Sequence, residues 1–252
     1  MRLILTGATG LVGSATLNHL LNLPAGEISR VYILSRSPVP MAENKPNVTV
    51  LAHSNFNEYS PELLEKLQGA DGCIWAQGIS QTQVSKEEYV KITREYPLAA
   101  AKAFSTLSDS FNFVYVSGEG ATQSPGPFTP FFGRVKGECE SALFALAAQH
   151  PSLKPYSVRP AYVDPAHDPL VLQAVMQRPD QQSFTKKSLH AVLGPVMRAV
   201  MANSVSPTQD LGRFLTDLAR GNGTPLTGRG EGVTGDGRII NNVAFRREVG
   251  II

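Results

Sequence analysis

The sequence predicts an α/β fold built on a doubly wound, mostly parallel sheet. Three observations carry this. The chain opens with an apolar run, Met1-Arg2-Leu3-Ile4-Leu5, that turns through glycines into a helical segment. Short apolar runs then alternate with amphipathic segments along most of the chain, the pattern of parallel strands joined by helical crossovers. Its 252 residues, 42% hydrophobic and 17% charged, suffice for one sizeable core.

The first strand leads into Thr6-Gly7-Ala8-Thr9-Gly10-Leu11-Val12-Gly13 and then a helix over Ser14 to Leu23. Gly7 permits a tight turn, Gly10 leaves the backbone open to a pyrophosphate, and Gly13 lets helix and strand pack closely. The helix N-terminus offers free N–H groups to phosphate. This opening, which includes Thr6, Thr9, Leu11 and Val12, predicts a dinucleotide-binding Rossmann fold. Val31–Ser35 and Val48–Ala52 read as the second and third strands. Ser60 caps a short helix with Pro61 in its first position. Cys73–Ala76 is a fourth strand, Lys86–Leu107 a long helix with a possible kink at Pro97, and Phe113–Ser117 a fifth strand. A helix over Phe132–Gln149 and a sixth strand within Pro155–Val163 follow. Asp164–Pro169 reads as a loop, Ser188–Ala202 as a helix, Ser206 as the cap of a helix to Ala219, and Gly221–Gly237 as a surface loop. Residues 1–252 are expected to form one domain, with 164–252 as a small C-terminal cover on the substrate side.

Net charge is +2, with no Lys/Arg cluster, which argues against nucleic acid. No apolar run approaches the roughly 20 residues that span a membrane. The first residues are expected to form a core strand, so no signal peptide is expected. Cys73 and Cys139 lie in apolar or helical contexts and are expected to be reduced. A cytoplasmic protein acting on a small molecule is the expectation. No helix stripe is diagnostic of an oligomeric state.

The end of the second strand selects the nucleotide. An acid there selects NAD, and an arginine accommodates the 2′-phosphate of NADP. Leu34-Ser35-Arg36-Ser37-Pro38 has no carboxylate, and none lies between Ser29 and Ala42. Arg36 is the expected phosphate clamp, with Ser35 or Ser37 as hydroxyl partner, and NADP the expected cofactor.

These segments resemble the short-chain dehydrogenase/reductase superfamily, in its extended or atypical branch. Thr6–Gly13 matches the branch's TGxxGxxG. Asp71–Gly78, with Ala76, Gln77 and Gly78, is similar to the fourth strand and its cofactor loop. Val114-Tyr115-Val116-Ser117-Gly118 resembles the strand that carries a catalytic serine, and Arg134–Glu138 the helix around the family lysine. Tyr156–Val163, with Pro160, is similar to the strand and Arg-Pro turn beyond, and Ser206–Gly212 to the late Asp-Leu segment. Small Tat-interacting-protein-like and NmrA-like proteins look most similar, and some of these bind NADP as regulators.

The resemblance implies a Tyr-x-x-x-Lys pair, but this chain has Phe132-Gly133-Arg134-Val135-Lys136. Lys136 is kept, to hold the cofactor ribose, while a phenyl ring cannot donate a proton. Ser117, Glu119, Tyr162 or water are the candidate replacements. Asn55 takes the place of the family's adenine-contacting aspartate, and Thr93 that of a relay asparagine. No metal is expected, since His19, His53, His150, His167 and His190 are scattered. The Gly-x-Ser-x-Gly hydrolase pattern fails at Tyr115. Non-redox isomerase, dehydratase or cyclase chemistry and NADP sensing are the alternatives to an oxidoreductase.

Overall fold

Six strands form the frame: β1 (Arg2–Thr6), β2 (Arg30–Ser35), β3 (Val48–Ala52), β4 (Gly72–Trp75), β5 (Phe111–Val116) and β6 (Leu153–Arg159). The computed structural model describes residues 1–177 and 201–252. The six strands are parallel, in the order β3-β2-β1-β4-β5-β6. The order reverses between β1 and β4, and ligands bind beyond the carboxyl ends at such a reversal. Thr6 lies opposite both Leu34 and Trp75, so those ends are level.

Alternation along β1 divides the core. Leu3 and Leu5 face one side, packed with Leu17 and Leu20 of α1 (Leu11–Leu21) and with Leu211, Leu215 and Phe245. Ile4 faces the other, with Leu67 of α2 (Pro61–Leu67) and with Phe104, Cys139 and Leu143. The Ser60 side chain accepts from Leu63 N at 3.3 Å, as its capping position predicts.

The long helix expected from Lys86 to Leu107 runs without a gap to Phe104 and carries an irregularity just before Pro97. It consists of α3 (Lys86–Val90), a π turn (Lys91–Glu95) and α4 (Tyr96–Phe104). Pro97 has no N–H for the carbonyl four residues back, that of Thr93. The Tyr115 hydroxyl donates to that carbonyl at 3.0 Å. α5 runs from Phe131 to Gln149.

The last third differs most from expectation. Tyr162–Asp164 is β7, paired in parallel with β8 (Val205–Pro207) in a second small sheet. Pro169–Met176 is α6, whose first turn is capped by Asp168, so the expected loop shrinks to residues 165–168. Ser206 is no helix cap. It lies in β8, donates to Asn242 Oδ1 at 2.6 Å and accepts from Ala161 N at 3.0 Å. The helix that follows, α7 (Thr208–Arg220), has no side-chain cap. The expected surface loop contains β9 (Val233–Thr234), antiparallel to β10 (Ile239–Asn241), and β10 extends the main sheet beside β6. Then comes α8 (Asn242–Glu248). Thus α7, α8 and β10 complete a sheet face and edge rather than only covering its end. The helix expected over Ser188–Ala202 lies outside the described residues except for its last two positions, as does His190. Among the described residues, no helix is long and apolar enough to cross a membrane, and no group of three or more His, Cys, Asp or Glu could hold a metal ion.

Candidate active site

The glycine loop folds on itself. Gly10 N donates to Gly7 O, and Ser14 N to Gly10 O, each at 2.8 Å. Gly7 has φ +69°, and a Cβ there would stand 2.4 Å from Ala76 O. A Cβ on Gly13 would stand 2.0 Å from Gly7 O. The loop therefore closes only with glycine at both positions. Gly10 caps α1 through extended backbone and offers no side-chain acceptor. The first-turn N–H groups, from Leu11, Val12 and Gly13, are left to a ligand or water.

Gly7, Thr9 and Gly10, Ser35 and Arg36, and Ala76, Gln77 and Gly78 line one cleft of about 120 Å³. Three segments far apart in sequence thus meet. Leu34, Ser37 and Phe56 line it as well. The Ser35 hydroxyl is occupied by Ser37, donating to its carbonyl at 2.7 Å and accepting from its N–H at 3.2 Å. That turn holds up the exposed Arg36. Gln77 Oε1 and Thr6 Oγ1 are buried without a protein partner. Unpaired buried acceptors, a glycine cradle and an arginine together fit the phosphates and hydroxyls of a dinucleotide. Asn55 is not in the cleft wall. Its side-chain oxygen accepts from Asn57 N at 3.3 Å, closing a local turn, and Phe56 takes the wall position.

Beyond β5, Ser117 is 4% exposed and its N–H donates to Val158 O at 2.8 Å. Its hydroxyl is buried with no partner. Lys136 Nζ donates to Ser117 O at 2.5 Å and Val116 O at 3.3 Å, and sits 5.9 Å from the Tyr115 ring centroid. The residue keeps some exposure, but its ammonium is enclosed by protein. That burial lowers its pKa from 10.5 to about 8, against the raising influence of Cys139 and Glu140. Phe132 lies one helical turn before Lys136. The loop after β5 lies against α5, since a Cβ on Gly133 or Gly137 would come within 2.3 Å of Gly120 O or 1.8 Å of Thr122 O.

Glu119 is exposed, and its carboxylate accepts from Asn242 N at 3.3 Å at the start of α8. The Pro160 carbonyl accepts from Glu119 N at 2.9 Å. Tyr162 is half-buried in β7, opposite Val205. Thr93 is buried, and its carbonyl accepts from the Tyr115 hydroxyl. Cys73 and Cys139 are free and buried, and burial pushes the Cys139 thiol up to about 12.

Sequence reasoning missed Glu140. It is fully buried four residues after Lys136 and accepts from Ser157 Oγ at 2.8 Å, Arg159 Nε at 2.9 Å and Arg159 Nη2. The available signal was Arg159 itself, because an arginine near the end of a buried parallel strand needs an anionic partner.

Strand order, glycine cradle and carboxyl-end cleft define a Rossmann-like α/β protein. The chain belongs to one family with a protein of a fungal biosynthesis cluster, and its fold is similar to that of solved short-chain dehydrogenases/reductases. It is 34% identical over 266 aligned positions to leucinostatins biosynthesis cluster protein T of Purpureocillium lilacinum, covering 98% of this chain and 94% of that protein. It is 42% identical over 159 positions to botcinic acid biosynthesis cluster B protein 16 of Botryotinia fuckeliana, covering 61% of this chain and 98% of that protein. The fold is similar to the PhqB reductase domain from Penicillium fellutanum, with TM-score 0.61 and 18% identity over 86% of this chain and 64% of that one. It is also similar to the Bordetella bronchiseptica enzyme WbmF in complex with NAD+ and UDP, with TM-score 0.64 and 16% identity over 99% and 77%. No protein-family profile matches the chain.

Proposed function

We propose that this protein is an NADP-dependent oxidoreductase that acts on a carbonyl, alcohol or activated alkene of a small biosynthetic molecule. The observation that carries the reading is the cleft, where Arg36 stands beside the glycine cradle with no carboxylate in the wall. The names of two relatives, from leucinostatin and botcinic acid biosynthesis clusters, support a biosynthetic substrate. Buried free thiols support a cytoplasmic location.

The main chain from Thr6 to Gly13 would hold the pyrophosphate of a bound cofactor, Arg36 its 2′-phosphate, and Gln77 a ribose or amide donor. Such a cofactor would supply hydride to, or accept it from, the substrate carbon. Ser117 orients the substrate oxygen through its unpaired hydroxyl. Phe132 has no proton to give, and this reading assigns the proton to Lys136, whose Nζ is held beside Ser117 by that residue's carbonyl and whose pKa burial lowers to about 8. In reduction, one N–H bond of the ammonium breaks and the substrate oxygen takes the proton. Water then reprotonates the amine.

Phe132 favours a second reading, an NADP-sensing protein without turnover. Fluorescence titration with NADPH and NADH, followed by NADPH oxidation with a panel of aldehydes, ketones and quinones, separates the two. Binding with turnover supports the oxidoreductase. Binding without turnover supports the sensor. Absence of NADPH binding overturns both.

A further inference from the structure

A second and larger cavity, about 810 Å³, opens between α1, the segment after β2 and α6. Its volume is in the range of small-molecule sites. Much of its wall is apolar, with Leu21 of α1, Val39 and Met41 of the segment, and Leu170 and Ala174 of α6. α6 already buries one apolar side, Val171 and Val175, against α1. Leu170 and Ala174, spaced i and i+4, form another face toward the cavity, and Leu170 is left 58% exposed.

The cavity's charge is uneven. Arg36 and Lys45 line it, against one acid, Glu43. Neither cation makes an ion pair among the described residues. Thr9, Arg36 and Ser37 belong to this cavity and to the dinucleotide cleft alike.

We infer that this cavity is a second ligand site, for an amphipathic acid: an apolar chain or ring system that ends in a carboxylate or phosphate. The apolar body lies against Leu170, Met41 and Val39, and the anion meets Lys45 and Arg36. Because Arg36 serves both spaces, the acid and the 2′-phosphate of NADP exclude one another, while NAD, lacking that phosphate, is indifferent. This coupling rests on the NADP reading above; the site itself does not.

The test is calorimetric titration of the full chain with decanoate, decyl phosphate and decanol. The acids are expected to bind at least about tenfold more tightly than decanol, and their relative affinities tell carboxylate from phosphate. Leu170→Asp and Lys45→Gln should each weaken the acids about tenfold, with unchanged circular dichroism and NADH affinity. Bound acid should raise the apparent Kd for NADPH and leave that for NADH alone. Acid binding that responds to both variants yet leaves NADPH affinity unchanged upholds the site and overturns the assignment of Arg36 to the 2′-phosphate. No acid binding, equal binding of decanol, or affinities untouched by both variants overturns the site.

Discussion

The Glu140 carboxylate takes the Arg159 guanidinium on both its oxygens, one from Nε and one from Nη2, and Glu140 itself is wholly removed from solvent. The pair ties α5 to β6 one turn beyond Lys136. Removing one partner leaves the other charge buried and unpaired, at a cost of about 3–5 kcal/mol. Glu140→Ala should therefore lower the urea midpoint strongly. Glu140→Gln with Arg159→Met, which removes both charges, should recover much of the loss. A Glu140→Ala variant within about 1 kcal/mol of the parent would show that the pair contributes no more than a surface bridge.

The glycine-loop half of the fold was legible in the sequence because its determinants are local. The Gly7–Gly10–Gly13 spacing, the acid-free end of β2 and the run of residues 76–78 each lie within a few positions, and the fold brings Gly7 and Gly10, Ser35 and Arg36, and residues 76–78 to one cleft. The C-terminal third was not legible, because its elements are short and defined by distant partners. β10 is three residues long and is fixed by pairing with Ser157–Arg159. Ser206 resembled a cap but is engaged by Ala161 and Asn242, partners that no local pattern reveals. Glu119, proposed from its distance beyond β5, is engaged by the backbone of α8, a helix the sequence reading did not contain.

In the proposed reading, Arg36 sets the cofactor preference. The protein is expected to bind NADPH more tightly than NADH, and Arg36→Ala should remove about 1.5–3 kcal/mol from NADPH binding while sparing NADH. Titration by cofactor fluorescence measures both. Equal affinities in the parent, or an undiminished preference in the variant, would remove Arg36 from this role.

Two glycines of one loop should fail differently. Gly10 has φ −83°, a conformation open to any residue, so Gly10→Val should fold. Its side chain would obstruct the pyrophosphate, and dinucleotide binding should be lost. Gly7 has φ +69° and no room beside Ala76 O, so Gly7→Val should lower the melting temperature as well. Circular dichroism and calorimetry together distinguish the cases. Retained affinity in folded Gly10→Val would mean that phosphate binds elsewhere.

The proton source is read from Lys136 and Phe132 together. The Lys136 pKa is lowered to about 8 by burial, while Glu140 and Cys139 on its own helix pull it upward, and the Tyr115 ring packs beneath it from β5. The ammonium, which is the donor in reduction, is the dominant form below about pH 8 and is lost above it. Reduction should therefore slow as pH rises through that value. Lys136→Arg keeps the charge but, with its far higher pKa, should erase both the step and most of the rate. Phe132→Tyr sets a hydroxyl one turn from Lys136 and should raise turnover of small ketones by about 10²–10⁴-fold, the usual contribution of a positioned acid. The measurement is kcat/KM from about pH 6 to 10 for the three proteins, with NADPH affinity followed in parallel. A parent profile that is flat through pH 8, with turnover intact in Lys136→Arg, would assign the proton to another group. Ser117 and Tyr162 would then be the next to replace.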